Sequence, residues 1–217
     1  MFKPKTLIKI CGITSLDQAL QISQLGVDAI GIISVVESHR FLPHKNKNKI
    51  FRSLEEIYPS IKRVSVYKNA PLSTFIKNPI FSSSENVLQL HGDEDIEYCK
   101  RIKSINPSKE IWKAFRIKEK KDLEKIKPFE NFIDAILLDS WNAETYGGSG
   151  KRIKSKYLED LSFSKPWWLA GGISINWIDE ILRNIKPNGL DISSSIEISP
   201  GIKDINKTNQ IIEEIQK

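Results

Sequence analysis

Residues Trp167 to Ser195 read WWLAGGISINWIDEILRNIKPNGLDISSS, and this stretch contains the unit from which the chain is built. An apolar run, Trp167–Ala170, ends in the pair Gly171-Gly172. An amphipathic segment, Asn176–Ile185, follows. A second run, Gly189–Ile192, then ends in Ser193-Ser194-Ser195. Strand, crossover helix and parallel strand is the simplest reading, because buried parallel strands need no polar alternation.

The same unit recurs upstream. Further runs are Leu7–Cys11, Ala29–Ile33, Val64–Tyr67, Val87–Leu90, Ile111–Phe115 and Ile133–Leu138, so that eight runs start at intervals of 22 to 35 residues. Helical spacing is clear in Leu16, Ala19, Leu20 and Ser23, with Ser15 as N-cap and Gly26 as a stop. Asp93–Ser104 begins with acids and ends with bases, as the helix dipole prefers, around an apolar stripe of Ile96, Cys99 and Ile102. Asn206–Gln216 carries Ile211, Ile212 and Ile215. The helical signal is weak after run three, where Ala70–Lys77 is short, and after run six, where Tyr157–Leu161 has few apolar anchors. Eight alternating strands predict an α/β fold, a single-domain (β/α)8 TIM barrel over residues 1–217. A doubly wound open sheet, the alternative, usually has fewer strands.

Composition agrees with one globular domain. Of 217 residues, 40% are hydrophobic, enough for a sizeable core. The longest apolar runs are a few residues, too short for a membrane span, and MFKPKTLIKI lacks the features of a secretory leader. Two cysteines, Cys11 and Cys99, make neither a disulfide scaffold nor a zinc site, and a cytoplasmic setting is expected. The net charge is +6, but the lysines interleave with acids, as in Lys118–Lys127, in the manner of solvated helix faces. No nucleic-acid partner and no membrane association are expected. A modest positive field would attract an anionic small molecule.

In such a barrel the reacting face is at the C-terminal ends of the strands. Cys11, Arg40, His91, Asp139, Gly171-Gly172 and Ser193–Ser195 stand at or just after the ends of runs and would converge on one mouth. Glycines expose backbone N–H groups, and the loops after strands seven and eight often hold phosphate in this architecture. Gly147–Lys151 resembles a P-loop but lacks its G-x-x-x-x-G-K-[ST] pattern; it reads as a loop over an anionic substrate, or simply as an exposed loop. Cys11 is a candidate base or nucleophile. It needs a positive neighbour, which Lys9, on the same strand face, or Arg40 could be. Asp139 follows three apolar residues, and withdrawing a carboxylate from water favours its acidic form. Asp134 should lie at the opposite end. His91 suits either ligand contact or a turn. No cluster has metal-ligand spacing, so no metal is expected.

Taken in order, these residues resemble the phosphoribosylanthranilate isomerase family. The resemblance lies in Lys9-Ile10-Cys11-Gly12-Ile13-Thr14, Asp28–Gly31, Ser38-His39-Arg40 and Gln89–Glu94. It continues through Leu138-Asp139, Gly147–Lys151, Leu169–Gly172, Asp191–Glu197 and Pro200–Asp204, nearly the whole chain. It implies a (β/α)8 enzyme of tryptophan biosynthesis, acting on a phosphosugar without cofactor, as a monomer or homodimer. The implied reaction is an Amadori rearrangement, with Asp139 as general acid and Cys11 as general base. Arg40 would hold a carboxylate. His91, Gly148, Gly171, Gly172, Ser193, Ser194 and Ser195 would complete the substrate site. Three features depart from the family pattern. His39 stands where Pro is usual, Ile32–Val36 lacks aromatics, and Ser195 stands where Gly is common and would have to tolerate that backbone conformation. Two other readings are a histidine-pathway sugar isomerase, which uses Asp in place of Cys11 and has two phosphate sites, and a non-catalytic phosphosugar-binding barrel.

Overall fold

In a computed structural model, which describes residues 5–76, 84–140 and 152–217, each of the eight apolar runs overlaps a strand, with β3, β5 and β6 extending beyond their runs. These are β1 (Leu7–Cys11), β2 (Ala29–Ile33), β3 (Lys62–Tyr67), β4 (Val87–Leu90), β5 (Glu110–Ile117), β6 (Ala135–Ser140), β7 (Trp167–Leu169) and β8 (Gly189–Ile192). They pair in parallel, in chain order, and β8 closes on β1. Register is pinned by period-two patterning, because a one-residue slip would turn the interior outward.

Ala29, Val64, Val87, Trp112, Ala135, Leu137 and Trp168 fill the interior. The alternate residues, among them Ile8, Ile10, Ile30, Leu88, Ile111, Ile136, Leu138 and Leu190, form the larger core beneath the helices. Two indoles, Trp112 and Trp168, lie with centroids 4.7 Å apart and planes tilted by 30°. They fit because the neighbouring position is glycine. A Cβ on Gly189 would come within 2.3 Å of the Trp168 ring. Gly189→Ala is therefore expected to cost about 1–3 kcal/mol by overpacking. Urea unfolding should show a lower midpoint at unchanged slope, and an unchanged midpoint would mean that the ring pair has room to move.

The outer elements follow the sequence in part. α1 (Leu16–Gln24) is capped by Ser15, whose side chain accepts from Gln18 N. α2 (His44–Ile57) follows β2. α3 (Ile96–Ile105) starts at Asp95, which caps Tyr98 N, a contact worth about 1 kcal/mol. α4 (Ile175–Glu180) widens into a π-helical turn, Ile181–Ile185, and stops at left-handed Lys186. α5 (Ile205–Gln216) is capped by Asp204. The expected helical face at Lys118–Lys127 is instead a pair of 3₁₀ turns, Lys120–Lys125 and Lys127–Phe132, none of whose side chains is buried. Too few apolar residues fall there to anchor a longer helix. The weak signals after β3 and β6 correspond to single turns, Leu72–Phe75 and Ser155–Tyr157. Among the described residues no helix is long and apolar enough to cross a membrane.

Between β8 and α5 the chain makes a short antiparallel hairpin, β9 (Glu197–Ser199) and β10 (Ile202–Lys203). It places Glu197 and Lys203 beside the mouth. At the other end of the barrel, Asp134 accepts from Ile111 N at 2.7 Å and Lys103 Nζ at 2.6 Å. Its position is structural, as its place at the start of a run predicts.

Candidate active site

Above the indole layer the interior becomes polar. Lys9 on β1, Gln89 on β4 and Asp191 on β8 point inward and are almost wholly buried. Over them opens a cavity of about 550 Å³ whose wall includes Cys11, Arg40, His91, Asp139, Gly171, Gly172 and Ser193–Ser195. The structure thus brings together every sequence-derived site residue it describes. Gly148 lies outside the described residues.

Cys11 ends β1 and is 7% exposed. Burial pushes its thiol up. Lys9 and Lys203 pull it down, while Asp191 pushes it further up. Lys9, wholly enclosed, donates from Nζ to Asp191 Oδ2 at 2.8 Å. Burial opposes its charge, but Asp191 and Cys11 outweigh that and keep Lys9 above its ordinary value. The expected neighbour, Lys9, is therefore in place. Lys203, which donates to Ser193 O at 3.0 Å and Glu197 Oε1 at 2.8 Å, is a second neighbour that alternation along β1 could not reveal.

Asp139 lies at an inward position near the end of β6, three strands from β1 in one direction and five in the other. It is 4% exposed. Its Oδ1 accepts from Ser140 N at 2.8 Å, and its Oδ2 lies 3.1 Å from His91 Nε2. His91 Nδ1 in turn lies 3.2 Å from Gln89 Nε2. With the Gln89 amide donating, the remaining imidazole N–H donates to the carboxylate. His91 is therefore a partner of Asp139 as well as part of the cavity wall. Gly171 is required beside them. Its φ is +82°, and a Cβ there would sit 2.7 Å from Asp139 Oδ1 and 2.8 Å from Ser140 N.

The loops after β7 and β8 meet on one side of the mouth. Gly171 and Gly172 both have positive φ, and Ser193 precedes a single 3₁₀ turn, Ser194–Ile196. Ser195 sits in that turn without positive φ, so the serine in place of glycine needs no strained backbone. Arg152 spans from the loop after β6 to this corner. It donates to Ser174 Oγ at 2.7 Å and Gly172 O at 3.3 Å, and its guanidinium lies 5.0 Å from the Trp177 ring centre. Backbone amides, hydroxyls and a nearby cation form a group suited to a phosphate. Among the described residues no group of three or more metal-ligating side chains forms a metal site.

Arg40, from the loop after β2, lies beside the β8 loop: a Cβ on Gly12 would be 2.7 Å from Arg40 Cδ and 3.3 Å from Ser193 Oγ. Arg40 Nε and Nη2 donate to the two oxygens of Glu197 at 2.8 and 2.6 Å. That bidentate grip holds the guanidinium in one plane at the cavity wall. Burial would raise the Glu197 carboxyl, but hydrogen bonds from Arg40 and Lys203 outweigh it and hold the group down to about 2. A carboxyl depressed on folding stabilises the fold fully above its ordinary value of 4.5 and loses that contribution as the pH falls towards 2. The stability gap between the wild type and Glu197→Gln is expected to shrink from about 3 kcal/mol near neutrality to nearly nothing near pH 2. Urea titrations at both pH values measure it, and an equal gap at both would mean that the Glu197 charge contributes nothing.

Gln89, Asp191, Glu197 and Lys203 escaped the sequence reading as site residues. All four carried a usable signal. Gln89 and Asp191 are polar residues at inward positions of buried strands, two residues before His91 and Ser193, and Glu197 and Lys203 lie in segments that carry the family resemblance.

Residues 8–214 match the family model described as N-(5'-phosphoribosyl)anthranilate (PRA) isomerase. Similar curated proteins include the N-(5'-phosphoribosyl)anthranilate isomerases of Crocosphaera subtropica and Microcystis aeruginosa. The first is 37% identical over 97% of this chain and 98% of its own length, the second 36% identical over 97% of each. Among solved structures, the Thermotoga maritima phosphoribosyl anthranilate isomerase superposes with a TM-score of 0.81 at 27% identity, over 97% of this chain and 98% of that one. Another, solved in complex with reduced 1-(o-carboxyphenylamino)-1-deoxyribulose 5-phosphate, gives 0.76 at 26% identity over the same shares. With this barrel, this mouth and these relatives, the chain belongs to the N-(5'-phosphoribosyl)anthranilate isomerase family, isomerases of tryptophan biosynthesis.

Proposed function

We propose that the protein converts N-(5-phosphoribosyl)anthranilate to 1-(2-carboxyphenylamino)-1-deoxyribulose 5-phosphate by an Amadori rearrangement. The observation that carries this reading is the placement of Cys11 and Asp139 on separate strands of one cavity wall, each buried and each tied to its own partners. Asp139 gives a proton to the furanose ring oxygen. The C1–O bond breaks, and the nitrogen lone pair forms an iminium at C1. Cys11 removes the proton from C2, whose electrons form the enolamine, and the enolamine tautomerises to the ketone. One acid and one base are enough, each worth about 10²–10⁴-fold. The phosphate rests against Gly171, Gly172 and the Ser193–Ser195 turn. Arg40, held by Glu197 through two nitrogens, offers the third to the anthranilate carboxylate. The relative crystallised with a reduced product analogue supports a ligand of this class. Two free thiols suit a cytoplasmic enzyme.

A direct test is the loss of phosphoribosylanthranilate fluorescence, with the substrate made fresh from anthranilate and an activated ribose phosphate. Protein-dependent loss, with the ketose product identified, establishes the reaction. No acceleration by folded protein overturns it.

A further inference from the structure

The Cys11 thiol has charged neighbours that the mechanism has not yet used. β1 and β8 pair so that Lys9 is the register partner of Asp191. The Lys9 stem and the Cys11 thiol meet over Gly31 on β2. A Cβ built there would lie 3.1 Å from Lys9 Cε and 2.7 Å from Cys11 Sγ, so glycine keeps that space for the two side chains. Lys9 donates to Asp191 at 2.8 Å, and its charge acts on the thiol beside it. Asp191 gives only one oxygen to Lys9. Its Oδ1 is buried and has no hydrogen-bond partner among the described residues, so its charge is incompletely compensated. The charges that act on Cys11 are Lys9 from its own strand, Asp191 from β8, Lys203 from the β9–β10 hairpin and Arg40 from the loop after β2. His91, just after β4, and Asp139, on β6, line the same cavity away from β1.

We propose that Lys9 and Asp191 act as an opposed pair of positioning residues that sets the ionisation of Cys11, Lys9 promoting the thiolate and Asp191 restraining it. A cation beside a buried thiol stabilises its anion, and a carboxylate beside it does the reverse. Burial alone would leave the thiol a poor base, so the pair decides how much thiolate is available. This inference deepens the isomerase reading, on which it rests for the role of Cys11.

The test needs no substrate. In a Cys99→Ala background Cys11 is the only thiol, and its alkylation by iodoacetamide, followed by intact mass from pH 6 to 10, reports the thiolate fraction. Asp191→Asn is expected to alkylate at least threefold faster than the parent at pH 7.5. Lys9→Met/Asp191→Asn removes both charges together, which protects the fold better than leaving one buried charge alone. It is expected to react at least tenfold more slowly than Asp191→Asn and more slowly than the parent. Should Asp191→Asn fail to fold, the double variant against the parent still decides. Equal rates in all proteins, or a double variant as fast as the parent, would overturn the proposal. A protein that alkylates as expected but does not isomerise phosphoribosylanthranilate overturns the functional reading instead, so the two failures are distinguishable.

Discussion

Replacing Cys11 with Ala is expected to lower kcat by about 10²–10⁴-fold with little change in KM, the loss typical of removing a general base. The methyl group fits where the thiol was, so the wall of the cavity survives while proton removal from C2 does not. Cys99→Ala is the control. Cys99 is buried on α3, in the core between the helices and the outer face of the barrel and away from the cavity, with its thiol pushed by burial up to about 12. Its replacement is expected to leave turnover nearly unchanged. Near-normal turnover in Cys11→Ala would remove the base from the scheme. A large loss in folded Cys99→Ala would mean that the wrong cysteine had been chosen.

Asp139→Ala should lose a comparable factor, about 10²–10⁴-fold, but at an earlier step. Without a proton donor the furanose ring opens slowly, and C2–H cleavage no longer limits the rate. The two variants can therefore be told apart with substrate deuterated at C2. The isotope effect on turnover is expected to be large in Cys11→Ala and close to one in Asp139→Ala. The opposite ordering would exchange the two roles. The aspartate variant also strips His91 and Ser140 N of their shared partner, so Asp139→Asn is the gentler companion. It keeps a side-chain oxygen to accept a hydrogen bond while lacking the acidic proton.

The barrel was legible because its signal is repeated. Eight apolar runs, each of strand length, are hard to satisfy with any other sheet, and burial on both faces leaves little polar noise. The helix after β5 failed for the converse reason. Lys118–Lys127 alternates charge without an apolar stripe, and a solvated 3₁₀ turn satisfies that sequence as well as a helix does. Within the site, Cys11, His91, Asp139 and the glycine and serine loops stood out because strand ends are few and polar residues at them are conspicuous. Apart from Lys9, their partners did not. The contacts of Glu197 with Arg40, and of Lys9 with Asp191, join residues 157 and 182 positions apart, which only the closure of β8 onto β1 and the hairpin behind it bring together. Gln89 was hidden differently, as an amide in an otherwise apolar strand whose role depends on His91 two residues later.

The indole pair at the base of the barrel has an optical consequence. Trp112 and Trp168 come from β5 and β7, the two strands that flank β6, and they hold a fixed, tilted and chiral arrangement. Two chromophores so placed couple their electronic transitions and give a circular dichroism signal that isolated tryptophans lack. A collapsed state with mobile packing keeps its backbone spectrum and loses that signal. The chain thus carries its own label-free reporter of interior packing, set into the floor beneath the chemistry and read without touching the mouth.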